Sequence, residues 1–470
     1  MGSESNNRAG QAGMTTTSPP TPLEQLRASV KGTVITAADA AYEQARTVFY
    51  GGFDRRPSAI VQVADAADVA AVVNFARAAG LELAVRGGGH SMAGFGVSDG
   101  GLVIDLSPMK GLEIDGERRT LWAEAGLTAG EVTHAAAEHG LAVGFGDTGS
   151  VGIGGITLGG GVGYLVRKYG LTIDSLLAAE IVTADGQFIT TDAEHHPDLF
   201  WALRGGGGNF GVVTRFKYQL QPVDQIVGGM LILPATADTI YRFIQAAEAA
   251  PDELSTIANV MTAPPMPFLP PEVHGKLIIM GLMTYVGDVN EGERIMSRFR
   301  ALAPPLADMV RPIRYVDSYP PDEEDYHPLA AGRNLFVDTF DERSAQLIVD
   351  RLQSSTAFMA VTQIRVLGGA MARVPNDATA FAHRQRRLML NVAALYNNPA
   401  EAALHETWTD DFMAALRGDE TGVYSNFLGN EGEARLREAY PAATYARLAQ
   451  IKRRYDPGNL FRLNHNIQPA

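Results

Sequence analysis

The 470-residue chain contains no cysteine. Disulfides and thiolate metal centres are therefore excluded. Positive charge is scarce: 39 Lys and Arg stand against 53 Asp and Glu, for a formal net charge of −14. Nucleic-acid partners are excluded on this ground, because phosphate contacts need clustered Lys and Arg. Anionic membranes are disfavoured for the same reason. Long apolar runs are missing too. None approaches the ~20 residues of a membrane span, and the N-terminus, Met1-Gly-Ser-Glu-Ser-Asn-Asn, has no apolar signal core. A cytoplasmic protein is the expectation, with residues 1–20 disordered and residues 1–34 forming an N-terminal extension. What is plentiful is glycine, 50 residues, on a background that is 46% hydrophobic. A sizeable core can form, and the length predicts two domains.

The glycines concentrate in three stretches. In the first, Leu81–Val85 reads as a buried strand running into Arg86-Gly87-Gly88-Gly89-His90-Ser91. Successive glycines let backbone N–H groups converge with no Cβ in the way, and such a nest favours an anion such as phosphate. His90 then sits at the edge of a phosphate cradle. The same residues would also suit a tight turn carrying a surface histidine. In the second stretch, 144–163, half of the twenty residues are glycine, interleaved with branched apolar residues. That density predicts neither helix nor sheet. It predicts a backbone surface lying against a flat or phosphorylated ligand. No Gly-Lys-Ser/Thr follows, so a P-loop is excluded. The third stretch, Gly205-Gly-Gly-Gly-Asn-Phe-Gly211, satisfies the spacing G-x-G-x-x-G, but a helix precedes it and an alternating strand follows. A Rossmann fingerprint needs the reverse order.

Between these stretches, strands are predicted at 59–63, 81–85, 101–106, 121–126 and 212–220. Asp65 and Gly80 bracket a capped helix, and residues 128–140 form a second. Asp185-Gly186 marks a hairpin between 176–183 and 187–191. A short helix is expected at 198–204. Beyond Pro222 glycine thins out. Amphipathic helices are predicted at 237–250, 288–303 and 341–355, and apolar strands at 276–286, 361–367 and 387–396, with loops at 263–271 and 317–325. This pattern indicates an antiparallel sheet backed by helices. A last helix is predicted at 431–454.

As a set, Arg86-Gly-Gly-Gly-His-Ser, Gly152-Ile-Gly-Gly, Gly159-Gly-Gly-Val-Gly163, Arg167-Lys-Tyr-Gly-Leu-Thr-Ile-Asp174, Arg204-Gly-Gly-Gly-Gly-Asn-Phe-Gly211 and Asp456-Pro-Gly-Asn-Leu-Phe-Arg resemble the motifs of the berberine-bridge-enzyme-like flavoprotein oxidases of the vanillyl-alcohol oxidase superfamily. The resemblance spans residues 35–468. It implies an α+β protein: a two-lobed, PCMH-type FAD-binding domain (35–222), an inserted substrate domain of antiparallel sheet backed by helices (223–420), and a C-terminal segment (421–470) returning to the first domain.

The resemblance also implies FAD, with its pyrophosphate on the N–H groups of residues 87–91. His90 matches the histidine that bonds covalently to the flavin 8α-methyl carbon. Neutral imidazole is a nucleophile near physiological pH. The bond raises the flavin potential and holds the ring under the substrate. Cofactor contacts are expected from Arg86, Gly87, Gly88, Gly89, His90, Ser91 and Gly94 in the first stretch. In the second they are expected from Thr148, Val151, Gly152, Gly154, Gly155, Gly159 and Gly163, and elsewhere from Val182, Asn426 and Asn464. Thr148 stands where many relatives place a second, cysteinyl link, so attachment through His90 alone is expected. That resembles the singly linked bacterial branch that includes 6-hydroxynicotine oxidase-like enzymes. Val151 matches the position that gates dioxygen to the flavin, and a small residue there fits an oxidase.

Tyr424, in Tyr424-Ser-Asn-Phe, matches a tyrosine that serves as base in several relatives. It is expected on a strand returning over the flavin. It could equally be a core tyrosine. As a base it would need its pKa of ~10 lowered. Asn391 and Tyr396 lie on the strand where other relatives carry a glutamate, and His465 stands where relatives commonly have glutamine. Met261, Met283, Tyr285, Arg365 and Met389 predict a mostly apolar pocket with few charges. The expected function is an FAD oxidase, as a monomer or homodimer. It would move hydride from a C–H next to O or N of a small organic substrate, aromatic or of secondary metabolism, to the flavin, which O2 reoxidises to give H2O2. The alternatives are a flavin dehydrogenase or oxidative cyclase using another acceptor, or a carbohydrate oxidase.

Overall fold

The computed structural model describes residues 21–319 and 326–470. The expected disorder of residues 1–20 and the end of the acidic loop, 320–325, lie outside the described residues. Three sheets organise the chain. The first has four strands in the order Thr33–Ile35, Ala59–Gln62, Leu102–Asp105, Leu83–Arg86. The helix Ala66–Ala79 starts where the Asp65 side chain accepts from the Asp68 N–H. It stops at Gly80, whose φ of 65° only glycine adopts cheaply. The two strands flanking this helix are not neighbours. Leu102–Asp105 inserts between them, parallel to both, and its register sets Asp105 opposite Arg86.

The second sheet is antiparallel, in the order Leu112–Asp115, Thr120–Glu124, Val212–Gln219, Leu176–Val182, Phe188–Asp192. Asp185-Gly186 turns the hairpin, with Gly186 at φ 80°. The two sheets share one apolar core with helix Pro197–Leu203 and with the end of the chain, from Val423 to Ile467.

The third sheet is antiparallel and holds Gln225–Pro234, Leu277–Tyr285, Leu254–Thr262, Met359–Val366, Leu388–Tyr396 and Leu329–Val337, in that spatial order. Helices Ala237–Glu248, Val289–Arg300, Glu342–Gln353 and Ala402–Arg417 cover one face. Side chains alternate between faces along a strand. Ile364, Val366, Leu390 and Val392 thus pack under the helices, while Gln363, Arg365 and Asn391 turn to the other side, toward the glycine stretches.

Three expectations are corrected. The second glycine stretch does contain a helix, Ile153–Leu158; Ile153, Gly154 and Thr157 are buried, so packing overrides poor propensity. The helix predicted over 431–454 is two, Gly432–Ala439 and Ala442–Tyr455, broken at Pro441, which has no N–H to continue the first. Tyr424 lies on no strand. It precedes a single 3₁₀ turn, Ser425–Phe427, and its backbone N–H donates to Asn334 Oδ1 at 2.7 Å rather than to a sheet ladder. Among the described residues no helix is long and apolar enough to cross a membrane.

Candidate functional site

The three glycine stretches meet the open face of the third sheet around a cavity of about 490 Å³. The first two stretches touch through bare backbone. A Cβ on Gly88 would sit 2.3 Å from the Gly152 nitrogen, and one on Gly152 would sit 2.2 Å from the Gly88 nitrogen. Elsewhere the glycines face space. A Cβ on Gly155 or Gly208 would meet no atom within 4 Å, and both residues line the cavity.

The C-terminal segment staples the third stretch in place. Asn209 donates through Nδ2 to Gly206 O and His465 O, and its Oδ1 accepts from the Ile467 N–H. Lys452 and Asp456 form a fully buried ion pair at 2.8 Å. Lys452 Nζ also donates to Asn209 O and Phe461 O, and Asp456 accepts from the N–H groups of Leu460 and Phe461. That network is the physical reason for the Asp456-Pro-Gly-Asn-Leu-Phe run. Asn464 Nδ2 donates to Gly208 O, while its Oδ1 is buried and unpartnered.

His90 lies at the cavity wall, stacked on Phe49 with ring centroids 4.0 Å apart and planes 17° apart. Tyr424 is fully buried apart from the cavity, and its hydroxyl oxygen accepts from the Gly161 N–H and from Asn426 Nδ2, each at 2.9 Å. The lowering of its pKa that a base would need is not found. Burial raises it and outweighs the opposing pull of the Asn426 and Gly161 donors and of the Arg365 charge. His465 packs edge-on to Phe95 at 5.1 Å. Burial depresses its pKa to about 4, so it is neutral near pH 7.

On the sheet side, Arg365 is buried and donates to Asp147 and Gln363 side chains and to Val162 O, with its guanidinium 5.3 Å from the Phe427 ring centroid. This wall, with Asn391, is polar. The cavity as a whole is mostly apolar with few charges, as expected, but of the five residues named for it only Arg365 lines it. Strand parity turns Met283 and Tyr285 toward the helices, while Met261 lies on the open face but joins a separate cluster farther along the sheet. Met389 packs against Tyr424. Tyr396 stacks on His405 at 4.9 Å, outside the cavity wall.

Of the other residues singled out in the sequence, Gly87, Gly89, Ser91, Thr148, Val151, Gly154 and Asn426 line the cavity. Arg86 lines it too, but its guanidinium is paired with Asp105 at 2.9 Å. Four do not reach the wall. A Cβ on Gly94 would strike the Phe53 ring, one on Gly159 the Asn426 amide, and one on Gly163 the Phe145 carbonyl. Val182 is buried in the second sheet, paired with Val212 and Phe188. Phe49 and Gln363 were not anticipated, and Asp147 and Asn209, although inside the second and third glycine stretches, were not singled out there; their main partners lie far along the chain.

Residues 57–192 match the family described as FAD binding domain, and residues 423–468 the family described as berberine and berberine like. The chain is 31% identical to (R)-6-hydroxynicotine oxidase of Paenarthrobacter nicotinovorans, over 94% of this chain and 97% of the relative. The chain belongs to the berberine-bridge-enzyme-like FAD-linked oxidoreductases. The crystal structure of 6-hydroxy-D-nicotine oxidase from Arthrobacter nicotinovorans superposes with a TM-score of 0.84 at 28% identity, covering 94% of this chain and 99% of that one. A chitooligosaccharide oxidase shares the fold at 21% identity, with a TM-score of 0.84 over 96% of this chain and all of the other.

The cradle fits the FAD that this family binds. Glycines without Cβ obstruction line the cavity, and polar atoms such as Asn464 Oδ1 stand beside it without a protein partner. A berberine-bridge-like oxidoreductase needs such a bed because isoalloxazine and pyrophosphate must both approach backbone closely.

Proposed function

We propose that this chain is an FAD-dependent oxidase in which the cofactor is bonded to His90 and the acceptor is dioxygen. The substrate is a small organic molecule with a reacting C–H next to O or N. The observation that carries this reading is one cavity lined both by the glycine cradle with His90 and by Tyr424. When bound, the flavin would supply a two-electron acceptor for hydride that dioxygen can reoxidise. His90 anchors it at one edge. Gly88 and Gly152 keep the first two glycine loops in contact. Val151, small and on the wall, leaves room for dioxygen. Tyr424 holds and takes up the proton of the substrate O–H or N–H. The Gly161 N–H and Asn426 amide fix its oxygen and favour the phenolate, against burial. Gln363, Arg365 and Asn391 support a substrate with hydrogen-bonding groups remote from the reacting carbon.

Two measurements test this. Alcohols, hydroxylated alkaloids and sugars are screened for peroxide release, against reduction of a dye acceptor under anaerobic conditions. Turnover with dye but no peroxide would make the protein a dehydrogenase. Acid precipitation should leave the yellow colour with the wild-type chain and release it from His90→Ala.

A further inference from the structure

Gln363, Arg365 and Asn391 line the cavity from the third sheet. Two of them are already committed to other groups. Arg365 donates through Nε to Gln363 Oε1 at 2.9 Å and through its terminal nitrogens to Val162 O and Asp147 Oδ2. Gln363 donates through Nε2 to Asn259 Oδ1 at 3.0 Å. Asn391 differs. Among the described residues its amide has no hydrogen-bond partner, and its Oδ1 is buried.

A second bare amide atom stands opposite. The ladder between Leu388–Tyr396 and Leu329–Val337 sets Asn391 against Asn334, and directly opposed residues of a strand pair share a face. Asn334 is fully buried, and its Oδ1 accepts from the Tyr424 backbone N–H at 2.7 Å. A backbone N–H can only donate, so that atom must be the amide oxygen. Nδ2 is then the other end of the amide, and this donor too is buried without a partner. A buried donor and a buried acceptor in facing positions each lose water and gain nothing until they meet. The reverse turn of Asn391 would set two N–H2 groups against each other. We infer that in the flavin-loaded protein Asn334 Nδ2 donates to Asn391 Oδ1, so that Asn334 is a positioning residue that turns the Asn391 N–H2 toward the cavity. Asn391 is then a specificity-determining residue of the substrate site proposed above, on which this inference rests. It selects a substrate carrying a neutral hydrogen-bond acceptor, such as an ether or carbonyl oxygen, away from the reacting carbon.

Charge decides that the acceptor is neutral. Among the described residues the cavity wall carries two guanidinium groups and one carboxylate. Arg86 is paired with Asp105 at 2.9 Å and Arg365 with Asp147 at 2.8 Å. A carboxylate or phosphate on the substrate would lie against Asn391 with no unpaired guanidinium to balance it, and burying such an anion is costly. Distance fits as well. Asn391 stands two residues along its strand from Met389, which packs against Tyr424. Two residues of strand span ~7 Å, so a group across a benzene ring from the reacting carbon can reach the amide.

The test uses the flavin-loaded full chain and three probes that differ only in the para substituent. These are para-methoxybenzyl alcohol, an acceptor; para-ethylbenzyl alcohol, its apolar isostere; and para-aminobenzyl alcohol, chiefly a donor. Binding is read from perturbation of the oxidised flavin spectrum, which needs no turnover. Wild type should bind the methoxy probe about tenfold more tightly than the ethyl probe, the worth of one neutral hydrogen bond. Asn391→Leu should lose that preference. Asn334→Asp still accepts from the Tyr424 N–H but offers Asn391 an acceptor in place of a donor. The Asn391 amide should then turn over, and the amino probe should become the tightest of the three. A merely structural role for Asn334 would leave the order unchanged. Should Asn334→Asp fail to fold, Asn334→Leu frees the Asn391 amide and should bring the methoxy and ethyl affinities together. Equal binding of those two probes by wild type overturns the inference. So does a preference that survives Asn391→Leu, a wild-type order in the Asn334 variant, or binding of none of the probes. Each of these removes this inference alone, because the peroxide screen tests the oxidase reading with other substrates. A protein that takes up no FAD removes that reading, and this inference with it.

Discussion

At Tyr424 two opposing effects act on one hydroxyl. Two hydrogen-bond donors and a nearby guanidinium stabilise the phenolate, while complete burial disfavours it, and burial wins. If this phenolate is the base, the flavin-reduction rate should keep climbing as pH rises toward 10 and show no plateau below it, because the group's pKa lies above the ordinary tyrosine value. Tyr424→Phe keeps the ring packing. It should lower kcat by ~10²–10⁴-fold and abolish the alkaline rise, with flavin attachment unchanged. A wild-type reduction rate in Tyr424→Phe would return the residue to the core. His90 and Tyr424 were legible in the sequence because each sits in a short linear pattern. The Arg365–Asp147 pair was not, because its members are 218 residues apart and neither carries a local signal.

Within the elements, the glycines divide into two kinds that composition alone cannot separate. Gly88 and Gly152 are needed because each backbone fills the space a Cβ on the other would take. Gly155 lies in helix Ile153–Leu158 and faces open space. Gly152→Ala should push the loops apart, costing about 1–3 kcal/mol of stability as well as FAD occupancy. Gly155→Ala should leave the apo-protein as stable or stabilise it by up to ~1 kcal/mol, since alanine is the better helix former. It should nonetheless weaken FAD binding, because its methyl enters the cavity. Thermal melts with and without FAD separate the two, and a Gly155→Ala variant with wild-type FAD affinity would place the cofactor elsewhere. Helices with clear caps, such as Ala66–Ala79, could be read from sequence within a residue or so. The helix Ile153–Leu158 could not, because its stability comes from burial rather than propensity. The polar wall was missed because strand parity depends on which face the helices cover, and two of the sheet's strands, Gln225–Pro234 and Leu329–Val337, were not anticipated.

At the scale of the whole molecule, His383 and His465 are held neutral by burial. His383 packs against the Phe336 ring at 5.0 Å, and its Nε2 lies 2.9 and 3.2 Å from Glu438 O and Ala439 O. His465 keeps a face on the cavity, which bound FAD would close. Burial lowers both to about 4, against an ordinary value of 6.5. Below pH 6.5 the unfolded chain therefore takes up protons that the folded chain refuses until about pH 4. Stability contributed by the two groups is present above 6.5 and is lost as pH falls through that window. At the other end, burial raises Tyr50, Tyr319 and Tyr440 to about 12. The folded chain then retains protons that the unfolded chain releases above 10, so stability falls again as pH climbs through that range. Tm should be flat between about pH 6.5 and 10 and drop on both sides. Each histidine contributes on the order of 3 kcal/mol at full shift, less for His465 while its cavity face stays wet. His465→Gln cannot take up a proton, so in the flavin-loaded protein the Tm loss between pH 6.5 and 4 should shrink while the alkaline limb stays put. An acid limb identical to wild type in that variant would assign the loss to carboxylates instead.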